Sequence, residues 1–326
     1  MRQMTLAHQA EFQRYSKRTR REQSLEKMNA VMPWAELFSQ VAPHYSKGEM
    51  GRKPVGLEIM QRVYFLQQWF ALSDPAVKDA LYESPVLRHF AGIDLRHAPA
   101  PDETTILNFR HLLEEHDLGG QMLDAVNVYL GSKGIRITTG TIVDATIIHA
   151  LSSTKNEKKE RDSEMHQTRK GNQWFFGAKA HVGVDSKEGV VHSVCTSAAS
   201  VSDVHMLPDL LHSEKKKVWG DAGHQVQTEA IRKAAPEAQD MISRRVKTKA
   251  GADEVQKRQN RTKARMRSKV EWPFCILKRV FGFTKVRYRG LKKNHEWLCA
   301  AFALVNIYQH RRRLAKVNLQ MAPQGA

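Results

Sequence analysis

The periodicity of the sequence changes at Gly134, and this change separates two kinds of structure along the chain. Before it, apolar residues such as Leu57, Met60 and Val63 recur near helical spacing. After it, the run IRITTGTIVDATIIHA is rich in β-branched residues, which favour strands. We therefore expect short packed helices up to about Gly131 and a unit containing a sheet beyond it.

Helix start signals support the first half of this division. The sequence reads SDP from Ser73 and SP from Ser84, and Asp102 stands before the helical run ETTILNFRHLLEEH. Serine and aspartate side chains accept hydrogen bonds from the free amides of a first turn, where proline is also tolerated. Such a bundle could contain a helix-turn-helix, or it could be a dimerisation or packing module.

The second half of the chain contains several candidate strands. IVDATII carries Asp144, and KVWGD ends on Asp221. Between them, QWFFGAKAHVGVDSKEGVVHSVCTSAAS predicts two strands joined by a turn at residues 185–189. Residues 152–172 are polar and predict a loop, DVHMLPDLLH predicts a short helix, and helices follow the last strand. The pattern therefore predicts a mixed sheet that carries two aspartates.

Positive charge is concentrated in one part of the sequence. The chain has 52 Lys and Arg against 34 Asp and Glu, a formal charge of +18, and residues 244–293 carry +15 of it. A smaller basic cluster lies between Arg14 and Arg21. A window of one sign repels itself unless an anion lies against it, so we expect a polyanionic partner, with nucleic acid as the leading candidate.

Other classes of protein are disfavoured by what the sequence lacks. No apolar run is long enough to cross a bilayer, and the first residues have no apolar signal core, so we expect a cytoplasmic protein without a membrane partner. The three cysteines, Cys195, Cys275 and Cys299, show no C-x-x-C pairing. This spacing argues against a disulfide framework and against a structural zinc site.

Glu271 is one of only three acids in the basic window, and it has basic residues at helical spacing. At about 100° per residue, Arg267, Glu271 and Lys278 lie within roughly 40° of one another, although Pro273 would weaken or kink the helix. A carboxylate between two bases suits a phosphodiester site, in which carboxylates bind Mg²⁺ and bases hold phosphates. Alternatively, Glu271 forms ordinary ion pairs on an exposed helix; the charge pattern leaves both interpretations open.

Three acidic motifs now carry a resemblance. VDATII, GDAGH and R-x3-E-x6-K resemble, in order, the motifs of the DDE transposases of bacterial insertion sequences, and the insertion-sequence 5 family is the most similar. The likeness extends to EMHQTRKGNQWFFGAKAHVGVDS, to VEWPF and to FGFTKVRYRGLKKN. The family commonly has a tyrosine three residues before the motif arginine, where this chain has Ala264, and often a tyrosine at the position of His224.

The resemblance implies a mixed α/β chain with a ribonuclease H-like catalytic domain. Asp144 on the first strand, Asp221 on the fourth and Glu271 on a later helix would form the catalytic, metal-binding triad. Arg267 and Lys278 would bind DNA. The implied cofactor is Mg²⁺, which Mn²⁺ replaces, with two ions in each site. A water or hydroxyl would cleave the end of the element, and the freed 3′-OH would attack target DNA.

The resemblance also implies domains and partners. Residues 1–131 would form an all-helical DNA-binding or assembly domain with a basic arm, 132–312 the catalytic domain, and 313–326 a C-terminal tail. The partner would be double-stranded DNA, as terminal inverted repeats and as target, bound by a homodimer associated with the nucleoid. Two alternatives remain open: a nuclease or resolvase that never joins strands, and a domesticated DNA-binding protein, which the three retained carboxylates disfavour.

Overall fold

The computed structural model describes residues 17–46, 48, 53–157, 159–211, 215–220, 231–233, 235–242 and 254–321. Asp221 and His224 lie outside the described residues, and the basic window 244–293 is described from residue 254 onward. Within the described part, no helix is both long and apolar enough to span a membrane.

The segment before residue 134 is helical, as the sequence predicts. Its described helices are α1 (Arg20–Asn29), α2 (Trp34–Val41), α3 (Leu57–Phe70), α4 (Asp74–Glu83), α5 (Pro85–Ala91), α6 (Glu103–Glu115) and α7 (Leu118–Ser132). The three predicted helix starts are confirmed: the side chains of Ser73, Ser84 and Asp102 accept hydrogen bonds from first-turn amides. These caps satisfy donors that have no partner inside the helix.

A mixed sheet follows the helices. Its described strands are β1 (Gly140–His149), β2 (His166–Lys170), β3 (Gln173–Asp185), β4 (Val191–Ala198), β5 (Lys217–Trp219) and β6 (Gln239–Asp240). β3 lies antiparallel to β1 on one side and to β2 and β4 on the other, while β1, β5 and β6 are parallel neighbours. The predicted mixed α/β class is therefore confirmed, with β1 at the centre.

The prediction of a loop over residues 152–172 is wrong in part. His166–Lys170 forms β2, which pairs with residues 173–177 of β3. β2 is polar throughout and mostly exposed, so it lacks the apolar alternation by which a strand is recognised in a sequence. Its pairing comes from the exposed backbone edge of β3. Because β2 is an additional strand, the strand before Asp221 is the fifth of the described strands and not the fourth.

The sheet is covered on both faces. On one face, a 3₁₀ turn (Asp203–Met206) and α8 (Leu207–Leu210) cover Val143 and Val218. On the other face, Ile142 and Val182 join a large core shared with the N-terminal helices and with a long terminal helix, Leu291–Met321. That helix, numbered α11 below, packs on α7 and β4 and runs through residue 312, where the predicted catalytic domain ends.

One continuous helical run crosses the basic window. It consists of α9 (Glu254–Arg267), a 3₁₀ turn (Ser268–Val270), α10 (Glu271–Cys275) and a π turn (Ile276–Val280). Val270, Phe274, Ile276 and Leu277 are buried in the large core. The helical run does not break at Pro273. Its helix type changes from α to 3₁₀, back to α and then to π along the chain.

Candidate active site

A cleft lies beside the part of the central strand that extends past β5. β5 pairs only with Gly140–Ile142, so the remainder of β1 extends past it. The cleft has a volume of about 460 Å³ and is lined by the last part of β1, by β2 and by the helical run. The predicted residues Asp144, Arg267, Glu271 and Lys278 all line it. Asp221, the fifth predicted residue, lies outside the described residues, two positions beyond the end of β5.

Asp144 is held by the backbone of its own strand and by a base. Its Oδ1 accepts a hydrogen bond of 2.8 Å from the amide of Ala145, and its side chain is 15% exposed. The Nε of Arg267 lies 3.8 Å from Oδ2 of Asp144. Arg267 therefore reaches from the helical run to the strand and places its positive charge close to the Asp144 carboxylate.

Lys278 also reaches across from the helical run to β1. Its Nζ donates hydrogen bonds to Oγ1 of Thr146 at 2.6 Å and to the carbonyl oxygen of Ile147 at 2.7 Å. Burial lowers the pKa of Lys278, the nearby charge of Lys170 lowers it further, and Glu271 raises it. These contacts fix the lysine against the strand that carries Asp144.

Glu271 begins α10 and is exposed, although it lines the same cleft as Asp144. Its exposure is compatible with binding a cation, because a carboxylate that is not buried retains oxygens for a ligand. In the part of the chain that the structure describes, no three His, Cys, Asp or Glu side chains are grouped as a metal site. The predicted triad also needs Asp221, which is not described.

Two cations of this cleft were missed in the sequence. Arg169 and Lys170 belong to β2, are exposed, and line the cleft. Arg169 is oriented by the turn that follows it, since its Nε donates to the carbonyl oxygen of Gly171 at 3.0 Å. The sequence QTRKGN shows both charges, but its polar composition predicts a loop and not a wall of the site.

The lining also contains an ion pair between Lys179 and Asp203. Lys179 of β3 donates to the carbonyl oxygen of Val201 at 2.8 Å and lies 2.9 Å from the Asp203 carboxylate. His181 is 1% exposed and its Nε2 lies 2.8 Å from Oγ of Ser197, so it is a buried residue of the sheet. Lys179 thus braces the turn after β4 against the sheet.

The charges of the described lining favour an anionic substrate. Arg169, Lys170, Lys179, Arg267 and Lys278 are the basic residues, against the acids Asp144, Asp203 and Glu271. Cations placed around a pair of carboxylates can hold phosphate groups while the carboxylates hold a metal ion. The arrangement therefore suits chemistry at a phosphodiester.

Comparison with known proteins agrees with this geometry. A family model described as a transposase DDE domain matches residues 136–307, and one described as a transposase domain (DUF772) matches residues 13–112. No solved structure matches the chain. The first match includes β1, the helical run and all five predicted site residues. Because it covers more than half of the 326 residues, the chain belongs to the DDE transposases.

Proposed function

We propose that this enzyme binds the ends of its own insertion sequence, cleaves phosphodiester bonds there and joins the freed 3′-OH ends to target DNA. We assign it to the insertion-sequence 5 family, on the motifs around Asp144, Asp221 and Glu271. The single observation that carries the proposal is the cleft in which Asp144 and Glu271 meet Arg267 and Lys278.

The fold that we propose for the catalytic part is ribonuclease H-like. In its support, the central strand β1 carries Asp144, β3 and β4 are antiparallel additions on one side, and β5 and β6 are parallel on the other. β5 leads directly toward Asp221. Carboxyl ends of parallel neighbouring strands meet at the same edge of a sheet, so this order favours a meeting of Asp221 with Asp144.

DDE transposases use divalent metal ions. We propose that Asp144, Asp221 and Glu271 hold two Mg²⁺ ions, for which Mn²⁺ can substitute. Carboxylate oxygens are the ligands that these hard cations prefer, and Asp144 and Glu271 both face the cleft. When bound, such ions activate the attacking oxygen and stabilise the leaving oxygen of an in-line displacement.

The basic residues would position the DNA. The guanidinium of Arg267 can hold a phosphate through two parallel hydrogen bonds while it remains beside Asp144. Lys278 is fixed by Thr146 and Ile147, so its ammonium is already oriented before DNA arrives. Fixed donors lose little freedom when they bind, and they keep the scissile phosphate close to the carboxylates.

DNA is the substrate of this family. We propose that the helical segment 1–131 is a DNA-binding and assembly domain with a basic arm, that 132–312 is the catalytic domain, and that 313–326 is a C-terminal tail. We further propose that a homodimer brings two terminal inverted repeats together and captures target DNA, which would place the protein on the nucleoid.

Cleavage and strand transfer by the purified full-length chain test this proposal. The substrate is a duplex that ends in the repeats flanking the gene, with Mg²⁺, with Mn²⁺ or with EDTA. We expect both activities only with metal, and loss of both in Asp144→Asn, Asp221→Asn and Glu271→Gln while DNA binding persists. Asp79→Asn, which alters an exposed carboxylate of α4, is the matched control.

The outcomes separate the alternatives. Full activity in one of the three variants removes that residue from the site. Metal-dependent cleavage without any strand transfer would identify a nuclease or resolvase instead. DNA binding with neither activity would identify a DNA-binding protein that has lost catalysis.

A further inference from the structure

A segment with alternating exposure leaves the candidate active site. It comprises residues 284–290, between the π turn and α11, and is called the basic strap below. Lys285, Arg287 and Arg289 are exposed, whereas Val286 and Tyr288 between them are partly buried. Alternate residues of an extended chain point to opposite sides. The three cations therefore form one row on the solvent side of the strap.

The basic strap begins at the cleft. The amide of His149, the last residue of β1, donates to the carbonyl oxygen of Thr284 at 3.2 Å. The amide of Val286 donates to the carbonyl oxygen of His149 at 2.7 Å. His149 also lines the cleft, together with Asp144 and Lys278. The row of cations thus begins beside the end of the strand that carries Asp144, where Lys285 and His149 form a parallel bridge.

The inner side of the strap is fixed by the N-terminal helices. The guanidinium of Arg110 lies 3.8 Å above the ring of Tyr288 and pairs with Asp74 at 2.8 Å. Burial raises the pKa of Tyr288 to about 12, so its ring stays neutral. The side-chain amide of Asn294 donates to the carbonyl oxygens of Tyr288 and Gly290, each at 2.7 Å. The strap is therefore held at both of its sides and at its end.

The arginines of the strap are anchored to backbone oxygens. Arg287 donates through Nη2 to the carbonyl oxygen of Ala71. Arg289 donates through Nη2 to the carbonyl oxygens of Glu160 and Arg161, at 3.4 and 3.3 Å. A guanidinium has five N–H donors, so these anchors leave donors for an anion and reduce the freedom that binding would cost.

The nearby carboxylates are engaged with backbone amides. Asp162 accepts from the amide of Gly290 at 2.8 Å, and Glu164 accepts from the amide of Leu291 at 2.7 Å, where α11 begins. Both are therefore used to hold the end of the strap and the start of the helix, where negative charge is favourable. The exposed row of cations is directed to solvent, where it can meet an external anion.

We propose that the basic strap binds successive phosphates of one DNA strand as that strand leaves the active-site cleft. The three exposed cations stand at alternate positions, and before the bend at residues 288–290 side chains on one face repeat every ~6.6 Å, which is comparable with the spacing of adjacent phosphates along a DNA strand. The inference rests on the proposed function, since it adds a second length of DNA contact to the same site. It also gives the N-terminal helices a role, because Arg110 and Ala71 hold the strap in place.

Salt dependence of DNA binding tests the strap without any catalysis. The full-length chain is titrated in EDTA with a blunt-ended duplex of mixed sequence at several salt concentrations. The plot of log affinity against log salt has a negative slope, and each lost phosphate contact reduces its magnitude by about 0.9. We expect the triple variant Lys285→Gln, Arg287→Gln, Arg289→Gln to reduce this magnitude by about 2 to 3.

The control variant removes the same charge at the other end of the sheet. Arg136, Lys187 and Lys216 are exposed and lie near the first residues of β1, after β3 and before β5. Their replacement by Gln should leave the slope within about 0.5 of the wild type. An equal fall in both triple variants would show a general effect of net charge and would overturn the proposal.

Two further measurements locate the strap relative to the scissile bond and control for misfolding of the triple variant. Neutral methylphosphonates at the phosphates next to the scissile bond should weaken wild-type binding but have little further effect on the triple variant. Additive losses would overturn the proposal. If the triple variant has a reduced melting temperature, Lys285→Gln alone decides: its slope should fall by about 0.9, and an unchanged slope rejects the strap.

The outcomes also separate the strap from the enzyme activity. Wild-type cleavage together with an unchanged slope in the strap variants leaves the proposed function intact and removes the strap. The expected fall in slope without any metal-dependent cleavage supports the strap as a DNA contact and rejects the proposed enzyme activity. If the triple variant showed a reduced salt slope with an RNA duplex but not with a DNA duplex, the row of cations would be assigned to RNA and the proposal would be overturned.

Discussion

The Nζ atom of Lys278 lies 2.6 Å from Oγ1 of Thr146, which stands two residues beyond Asp144 on β1. Residues two apart on a strand face the same side of a sheet. The threonine hydroxyl therefore holds a cation on the face from which the Asp144 side chain projects. The hydrogen bond between Lys278 and Thr146 therefore links the helical run to the central strand inside the cleft.

Thr146 should be a positioning residue for Lys278. Thr146→Val keeps the shape of the side chain but removes the acceptor, so we expect cleavage to slow by about tenfold, since small misplacements of a binding group are costly. Thr146→Ser keeps the hydroxyl and should cleave at close to the wild-type rate. Single-turnover cleavage rates measure both variants. Equal rates in Val and Ser would show that the hydroxyl does not orient the lysine.

Lys278→Ala should affect folding as well as cleavage. From the sequence, a lysine on an exposed helix would be expected to change stability little, but Lys278 is partly buried and donates two hydrogen bonds to β1. Loss of these bonds should lower the free energy of unfolding by about 1 to 2 kcal/mol. Arg279→Ala, at the exposed neighbouring position, is the control and should lie within about 0.5 kcal/mol of wild type.

Denaturant unfolding measures this change, and cleavage of the terminal duplex measures the activity. We expect Lys278→Ala to lose most cleavage at temperatures where it remains folded. Wild-type stability with lost cleavage would show that the two hydrogen bonds contribute nothing to folding. Lost stability with retained cleavage would make the lysine a structural residue only.

Arg267→Lys tests whether the planar guanidinium is needed beside Asp144. The change keeps the positive charge but removes the fork that can bind a phosphate bidentately. We expect cleavage to fall at least tenfold while the melting temperature stays within about 2 °C, because the side chain is 30% exposed. Arg265→Lys, at an exposed position of the same helix, should cleave normally. Similar rates in the two variants would exclude a bidentate role.

The helix starts could be predicted from the sequence because their causes are local. Ser73, Ser84 and Asp102 each bond an amide three residues away, so the signal and the contact lie in the same short stretch. The turn after β3 is similar: the Asp185 carboxylate accepts from the amides of Lys187 and Glu188. The β-branched run around Asp144 likewise identified the central strand.

The walls of the cleft depend on pairing that the residue pattern of the sequence does not reveal. β2 exists because β3 offers it an edge, and its own residues have no strand pattern. Asp162 and Glu164 accept hydrogen bonds from the amides of Gly290 and Leu291, more than 120 residues away, and no local pattern indicates these contacts. A sequence shows which residues carry charge, but the tertiary pairing determines which of them share a site.

Two adjacent glycines at the start of α7 should respond in opposite directions to the same substitution. The amide of Gly119 donates to Oε2 of Glu296 at 2.9 Å, and a Cβ at this position would overlap the carbonyl oxygen of Glu296 on α11. Gly119→Ala must therefore push α7 away from α11, and we expect it to lower the free energy of unfolding by about 1 to 3 kcal/mol.

Gly120→Ala is the matched control, since its Cβ would meet nothing within 4 Å. Alanine is favoured over glycine in a helix by up to about 1 kcal/mol, so this variant should be equally or more stable than the wild type. Denaturant midpoints of the two variants give the comparison. If Gly119→Ala were as stable as Gly120→Ala, the close approach of α7 and α11 at Glu296 would be wrong, because an added methyl group there has no space unless the two helices lie further apart.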